Sequence, residues 1–141
     1  MPSRSDQEAY NELAYYTLAQ PRSSFIHQHI VDAYTAQCAD ENSKPIGITF
    51  PLIGLYLYIE KGFSGRQVQQ AHMQLAKKRK RWPNFKLPDR QGEITARNVL
   101  ASPRGQERDD AIRAWCASVW AVWQESQQQV RDLVRSELGI V

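Results

Sequence analysis

The longest apolar stretch of the sequence, residues 46–59, constrains the fold of this chain more than any other feature. It is shorter than the ~18–20 residues that a membrane-spanning helix needs. Gly47, Thr49, Pro51 and Gly54 also interrupt it. We therefore expect no membrane span here and a segment buried in a protein core, where other elements must cover it on all sides.

The residues that flank this stretch predict that it is helical. Pro45 suits the first position of a helix, where its missing N–H costs nothing, and Gly62 suits the left-handed position that follows a helix. Pro51 is expected to kink this helix or to delay its start. The alternative is a buried strand over residues 55–59, because the order Leu-Tyr-Leu-Tyr-Ile is compatible with a sheet.

Capping signals and helix breakers divide the rest of the chain into further helices. Ser5 with Glu8, and Ser64 with Gln67, have the spacing of a capping box. Other predicted caps and breakers are Pro21, Ser23 or Ser24, Pro83, Thr95, Pro103 and Gly139. These signals predict an all-α protein, a single-domain helical bundle over residues 1–141 with about five or six helices and a buried apolar central helix.

The last predicted helix, which ends at Gly139, is the clearest of these elements. Its apolar residues recur at three- and four-residue spacing, and among them are Trp115, Trp120 and Trp123. We expect the three tryptophans to lie in the core. If one of them is exposed instead, the stripe becomes a candidate dimer interface.

Composition and length fit one globular domain in the cytoplasm. The chain has 141 residues, of which 42% are apolar and 23% charged, and its net charge is +3. The first ten residues contain no apolar core of the kind that a signal peptide needs. Cys38 and Cys116 lie far apart and outside any CxxC pair, so we expect two reduced thiols.

The histidines supply the candidate site for chemistry. His29 and Asp32 are neighbours on one helix face, whereas His27 and His29 lie about 200° apart around the helix axis. A helical bundle can bring His72 towards them from another helix. We predict a catalytic set of His27, Asp32 and His72, and a metal set of His27, His29, His72 and Cys38 that suits zinc or another divalent transition ion. The alternative is that the histidines are packed side chains or helix caps and have no metal-binding or catalytic role.

A basic run offers a second candidate site, for nucleic acid. It consists of Lys77, Lys78, Arg79, Lys80 and Arg81. These cations are suited to phosphate contacts, and Trp82 and Phe85 are placed to stack on bases. The alternative is a solvated helix end, because cations there complement the exposed carbonyl groups.

Four strings in the sequence carry a family resemblance: FIHQHIVDAYTAQ, KPIGITFPLIGLYLYIEKGFSGRQVQQAHM, WPNFKLP and WCASVW. Together they resemble a family of small bacterial proteins known as a domain of unknown function, over about residues 10–133. The resemblance implies one continuous domain, and it implies no assigned activity.

The resemblance also implies a metal role for two residues. Longer proteins of this kind carry an N-terminal cysteine pair of zinc-binding type, with a histidine that matches His27 and another near Cys38. This sequence lacks the cysteine pair and has Asn11 where its closest relatives are expected to have a histidine.

Three functions remain open from the sequence. The chain contains no phosphate-binding glycine loop, no HExxH, no GxSxG and no CxxC motif. We therefore expect first a protein-interaction module, as a homodimer or a subunit of a larger assembly. The alternatives are a small metal-dependent or acid–base enzyme at the histidine site, and nucleic-acid binding through the basic run.

Overall fold

The computed structural model describes residues 4–20, 25–78 and 81–141. Within these ranges the chain forms only helices and turns, so the predicted all-α class is confirmed. The described elements are α1 (Arg4–Leu18), α2 (His27–Gln37), α3 (Pro45–Lys61), α4 (Gly65–Lys78), α5 (Ala96–Ala101), α6 (Gln106–Val122), a 3₁₀ turn (Gln124–Ser126) and α7 (Gln127–Leu138). Seven described helices replace the predicted five or six, because the last predicted helix is two helices.

The apolar stretch is helical, as its flanking residues predict. Pro45 occupies the start of α3, and Gly62 follows its end with φ of 70°. The amides of Gly62 and Phe63 bond back to the carbonyls of Tyr58 and Leu57, which closes the last turn. The strand alternative over residues 55–59 is therefore wrong. Pro51 lies inside α3 and does not delay its start.

α3 packs against α2, α4, α6 and α7. Its buried residues include Leu52, Ile53, Leu55 and Leu57. No helix in the described ranges is both long enough and apolar enough to cross a membrane.

Two of the predicted caps are confirmed by their hydrogen bonds. The Ser64 amide donates to Gln67 Oε1 at 2.8 Å, and the Gln67 amide donates to Ser64 Oγ at 3.2 Å. Thr95 caps α5, and Asn98 Oδ1 accepts from the Thr95 amide at 2.8 Å. Both motifs depend on residues three positions apart, so the sequence alone can predict them.

The first two helices start at residues other than those predicted from the sequence. The described part of α1 starts at Arg4, so Ser5 lies inside this helix and not at the position before it. α2 begins at His27 after Ile26, which makes no side-chain capping bond. Pro21, Ser23 and Ser24 lie outside the described residues.

The last predicted helix breaks at Trp123, where ψ of 25° leaves the α-helical region. The chain then makes the 3₁₀ turn, and Gln127 Nε2 donates to the Trp120 carbonyl at 3.0 Å. The break lets α7 pack its apolar face on α3 and α4. Trp115, Trp120 and Trp123 are all buried, which confirms the core prediction and leaves none of them exposed for a dimer interface.

Residues 81–95, here called the strap, contain no helix and run from the end of α4 towards α5. Gln37 on α2 holds this segment, because its Nε2 donates to the carbonyls of Gln91 at 3.0 Å and Ile94 at 2.8 Å. Its Oε1 accepts from Trp115 Nε1 at 3.0 Å. One buried side chain thus joins α2, α6 and the strap.

Candidate functional site

Two ionisable side chains of α2 lie in the core. His29 is 4% exposed and Asp32 is 2% exposed, and the two are one helical turn apart. His29 Nδ1 and Asp32 Oδ2 are buried and have no hydrogen-bond partner within the described residues. A buried polar atom without a partner costs about 1–3 kcal/mol, so this pair is an unusual feature of the core.

Asp32 lies directly against the backbone of α3 at Gly54. A Cβ atom built on Gly54 would overlap Asp32 Oδ2, and it would lie 3.2 Å from a methyl group of Val68. Gln28 Nε2 donates to Asp32 Oδ1 at 3.1 Å. Burial raises the pKa of Asp32 well above its ordinary value, although the bond from Gln28 acts in the opposite direction. The Asp32 carboxyl group therefore keeps its proton at a higher pH than an exposed aspartate does.

His29 is stacked on Tyr58, with ring centroids 3.5 Å apart and an interplanar angle of 7°. The Arg113 guanidinium lies 5.3 Å from the Tyr58 ring. Burial, together with the positive charge of Arg113, lowers the pKa of His29 to about 4. Cys116 Sγ lies 3.6 Å from the His29 carbonyl, and burial raises the pKa of this thiol. At neutral pH the His29 imidazole and the Cys116 thiol are thus both uncharged.

The raised pKa of Asp32 predicts a pH-dependent effect of Asp32→Asn. Above pH ~3.8 the unfolded wild-type chain releases the Asp32 proton while the folded chain keeps it, so folding becomes less favourable as the pH rises. The loss is about 1.4 kcal/mol per pH unit until the folded pKa is reached. Asp32→Asn lacks this loss, so its stability relative to wild type should rise from pH 4 to pH 8 in urea denaturation.

The same exchange at Asp132, which is exposed on α7, is the matched control. It should change the free energy of unfolding by about 0.5 kcal/mol or less. The contrary result would be that the free energies of unfolding of Asp32→Asn and wild type differ by the same amount at every pH from 4 to 8. That result would show that Asp32 has an ordinary pKa and would contradict this prediction.

His27 and His72 have separate surroundings. His27 Nδ1 lies 2.9 Å from Thr17 Oγ1, and this contact joins α2 to α1. His72 Nε2 donates to the Phe50 carbonyl at 2.8 Å, and its ring lies 5.0 Å from the Phe50 ring, so it joins α4 to α3. Burial lowers the pKa of both histidines. Each therefore serves as a packed, hydrogen-bonded link between helices.

Cys38 follows the last residue of α2 and is half-buried. Burial raises the pKa of this thiol. Cys38 and Cys116 are both free, as the sequence predicts. The raised pKa keeps Cys38 in the protonated form at neutral pH, which is the poorer metal ligand.

Over residues 4–20, 25–78 and 81–141, no three histidine, cysteine, aspartate or glutamate side chains are close enough to hold a metal ion. The predicted metal set therefore does not form a metal-holding group in this part of the chain. The catalytic role of His27, Asp32 and His72 stays a prediction. Asp32 from the catalytic set and His29 from the metal set are both buried, one helical turn apart on α2. Zinc binding by the individual residues stays a prediction from the sequence.

The basic run is only partly described. Lys77 and Lys78 form the last turn of α4, and Lys78 Nζ donates to the Glu137 carbonyl at 3.1 Å. Arg81 is exposed, while Arg79 and Lys80 lie outside the described residues. Nucleic-acid binding by these cations stays a prediction.

The two aromatic residues predicted to stack on bases are engaged in the protein. Phe85 is buried at 9% exposure, so the prediction that it stacks on a base is wrong. Trp82 is half-buried and packs edge-on against Phe50 at 5.1 Å.

A surface groove between α1 and α5, here called the α1–α5 groove, was not predicted from the sequence. It consists of two adjoining cavities of about 420 and 570 Å³, which share Glu12 and Leu100 as lining residues. Arg108 supports one end of the groove, because it donates to the carbonyls of Ser102 and Leu100 and lies 4.6 Å from the Tyr16 ring. The groove is thus held by internal contacts.

Exposed apolar and charged side chains surround the α1–α5 groove. Tyr15 lines the groove and is 78% exposed. Leu18 lies beside the groove, three positions further along α1, and is 59% exposed. Glu12 on one side and Arg97 and Arg104 on the other are exposed, and none of the three forms an ion pair with another described residue. The groove therefore has an apolar end and two rims of opposite charge.

Comparison with known proteins identifies a family. A sequence model of a family described as a family of unknown function, DUF5946, matches residues 2–124. No curated protein and no solved structure matches the chain.

Proposed function

Because this chain belongs to the family of unknown function DUF5946, we propose its function from its surface: it is a protein-interaction module that forms a homodimer through the α1–α5 groove. The observation that carries this proposal is the pairing of an exposed apolar end with two unpaired rims of opposite charge. A two-fold dimer places the same patch of both copies face to face, so the patch must complement itself.

The apolar end supplies the expected driving force. Tyr15 and Leu18 are neighbours on the helix surface, three positions apart. The other large exposed apolar residues of the described chain, Ile46, Met73 and Val141, lie singly on other segments. Burial of apolar area gives about 25 cal/mol per Å², and aromatic anchors such as Tyr15 are typical of interface hot spots.

The charged rims supply the expected orientation. In a two-fold arrangement, Glu12 of one copy faces Arg97 or Arg104 of its partner, and the reverse pair forms by symmetry. The groove follows α1 over positions 5, 8, 12 and 15 and continues to position 19, just beyond the end of this helix. These positions have alternating three- and four-residue spacing and form a single stripe. A second α1 helix packed along this stripe satisfies both charges and covers the apolar end.

The first test compares two arginine substitutions at equally exposed apolar sites. Leu18 and Met73 are 59% and 57% exposed, on α1 and α4 respectively. We expect sedimentation velocity to show a wild-type dimer with a Kd in the micromolar range, about tenfold or more weakening by Leu18→Arg, and no change with Met73→Arg. A wild-type protein that stays monomeric at about 1 mM, or equal effects of both variants, would refute the proposal.

A further inference from the structure

Two arginines line the larger cavity of the α1–α5 groove, which has a volume of about 570 Å³. Arg104 is exposed and forms no ion pair with another described residue. Arg108 is only 8% exposed, and no carboxylate of the described ranges pairs with it either. An arginine this deeply buried is almost always paired with an acid, so the guanidinium of Arg108 lacks its usual counter-ion.

The hydrogen bonds of Arg108 leave part of its guanidinium available. Its Nε and Nη2 atoms donate to the carbonyls of Ser102 and Leu100 at 3.1 and 2.9 Å. The N–H groups on Nη1 reach no acceptor within the described part of the chain. Nη1 is nevertheless not one of the unpartnered atoms that the fold seals from solvent. Its donors are therefore open to a molecule in the cavity that Arg108 lines.

Tyr16 holds both arginines in place. Its ring centroid lies 4.6 Å from the guanidinium carbon of Arg108, and its hydroxyl accepts a hydrogen bond from the Gly105 amide at 3.2 Å. Because Gly105 directly follows Arg104 in the sequence, this bond fixes the turn that carries Arg104. Donors that are already held in position lose less conformational freedom when a ligand binds.

We propose that Arg104 and Arg108 bind the oxyanion, a carboxylate or a phosphate, of a small molecule whose apolar part packs against Tyr15 and Leu100. Guanidinium N–H groups form short, charge-assisted hydrogen bonds with both kinds of oxyanion. Tyr15 and Leu100 line the same cavity. The proposal does not rest on the homodimer, because both arginines belong to one copy of the chain.

Glu12 also lines this cavity, and its charge opposes an anion there. It lines the smaller cavity of the groove as well, whereas Arg104 and Arg108 line only the larger of the two. We therefore expect Glu12→Gln to tighten anion binding several-fold. The same substitution should weaken the proposed homodimer, in which Glu12 faces an arginine of the partner copy. Opposite effects on the two measurements thus separate the anion site from the dimer.

The test measures thermal unfolding of the full chain by tryptophan fluorescence, at a chain concentration of about 0.1 µM, where the proposed dimer dissociates. The probes are phenyl phosphate, benzoate and the uncharged benzyl alcohol, each of which carries one aromatic ring. We expect phenyl phosphate or benzoate to raise the unfolding midpoint saturably, by about 3–6 °C at ten times its Kd. Benzyl alcohol should not raise it. The anion that acts at the lower concentration identifies the ligand as a phosphate or a carboxylate.

Three substitutions test where the anion binds, each compared with its own unliganded midpoint. Arg108→Lys keeps a positive charge but removes Nη1, so it should weaken binding of the anionic probes by about tenfold or more. Arg104→Gln changes an exposed residue and leaves the core intact, and it should weaken binding about fivefold. Arg135→Gln removes the same charge from an exposed position on α7 and should leave binding unchanged.

Four results would overturn the anion site. These are no rise in the midpoint with either anion, an equal rise with benzyl alcohol, wild-type affinity of Arg108→Lys, and equal effects of Arg104→Gln and Arg135→Gln. The last of these would show that the anions act on the overall charge of the chain and not on this cavity.

Discussion

Gly54→Ala should destabilise the protein by about 2–3 kcal/mol, although alanine is the better helix former. The new Cβ would overlap the buried carboxyl group of Asp32 and press on Val68. Neither neighbour moves easily, because Asp32 is 2% exposed and Val68 is fully buried. Urea denaturation at pH 7 measures the effect.

Gly47 provides the control for this prediction on the same helix. A Cβ atom there meets nothing within 4 Å, so Gly47→Ala should stabilise by about 0.5–1 kcal/mol through helix propensity alone. Combining Gly54→Ala with Asp32→Ala should recover much of the loss, with a coupling of at least ~1 kcal/mol. Equal effects at the two glycines would contradict the close packing of α2 on α3.

Gln37→Leu should have an effect of similar size, about 3 kcal/mol or more. It leaves Trp115 Nε1 without its acceptor and removes the donor for the carbonyls of Gln91 and Ile94. The buried Trp115 N–H costs about 1–3 kcal/mol when it is left unsatisfied. The two part-buried carbonyl bonds add a further loss, although the three losses need not sum. The measurement is urea denaturation, together with hydrogen exchange of the strap.

The strap amides should exchange faster in Gln37→Leu, while those in the middle of α3 change only in line with global stability. Gln128→Leu is the matched control, because Gln128 is exposed and bonds only to surface side chains on α7. It should change stability by about 0.5 kcal/mol or less. A strap that keeps its protection in Gln37→Leu would show that Gln37 does not hold it.

Local signals explain what the sequence predicted well. Pro45, Gly62 and the Ser64–Gln67 pair act through neighbours within a few positions, so their effect on the chain can be derived without tertiary structure. The break at Trp123 is different. It follows from the packing of α7 on α3 and α4, and the helical periodicity runs through it unchanged.

The features of the candidate sites depended on contacts between distant residues. Two signals were nevertheless visible in the sequence. A glycine inside an apolar helix, such as Gly54, usually allows another element to pack closely against the helix. Gln37 occupies a core position in the apolar pattern of α2. Periodicity also placed His27 and His29 on different sides of α2. It could not tell which side meets α3, because that depends on how the helices pack.

The α1–α5 groove could not be predicted for a related reason. Glu12 and Arg97 are far apart in sequence, and nothing local indicates that they line one groove without forming an ion pair. Only the docking of α5 on α1 creates the two rims of opposite charge.

The most direct test of the proposed homodimer is a charge swap across the groove, measured by sedimentation velocity. Glu12→Arg alone and Arg97→Glu alone each place like charges opposite one another, so each variant should dimerise about tenfold or more weakly than wild type. An equimolar mixture of the two restores both opposite-charge pairs and should form a heterodimer close to wild-type affinity. Two variants that dimerise like wild type, or a mixture no tighter than its components, would contradict the account.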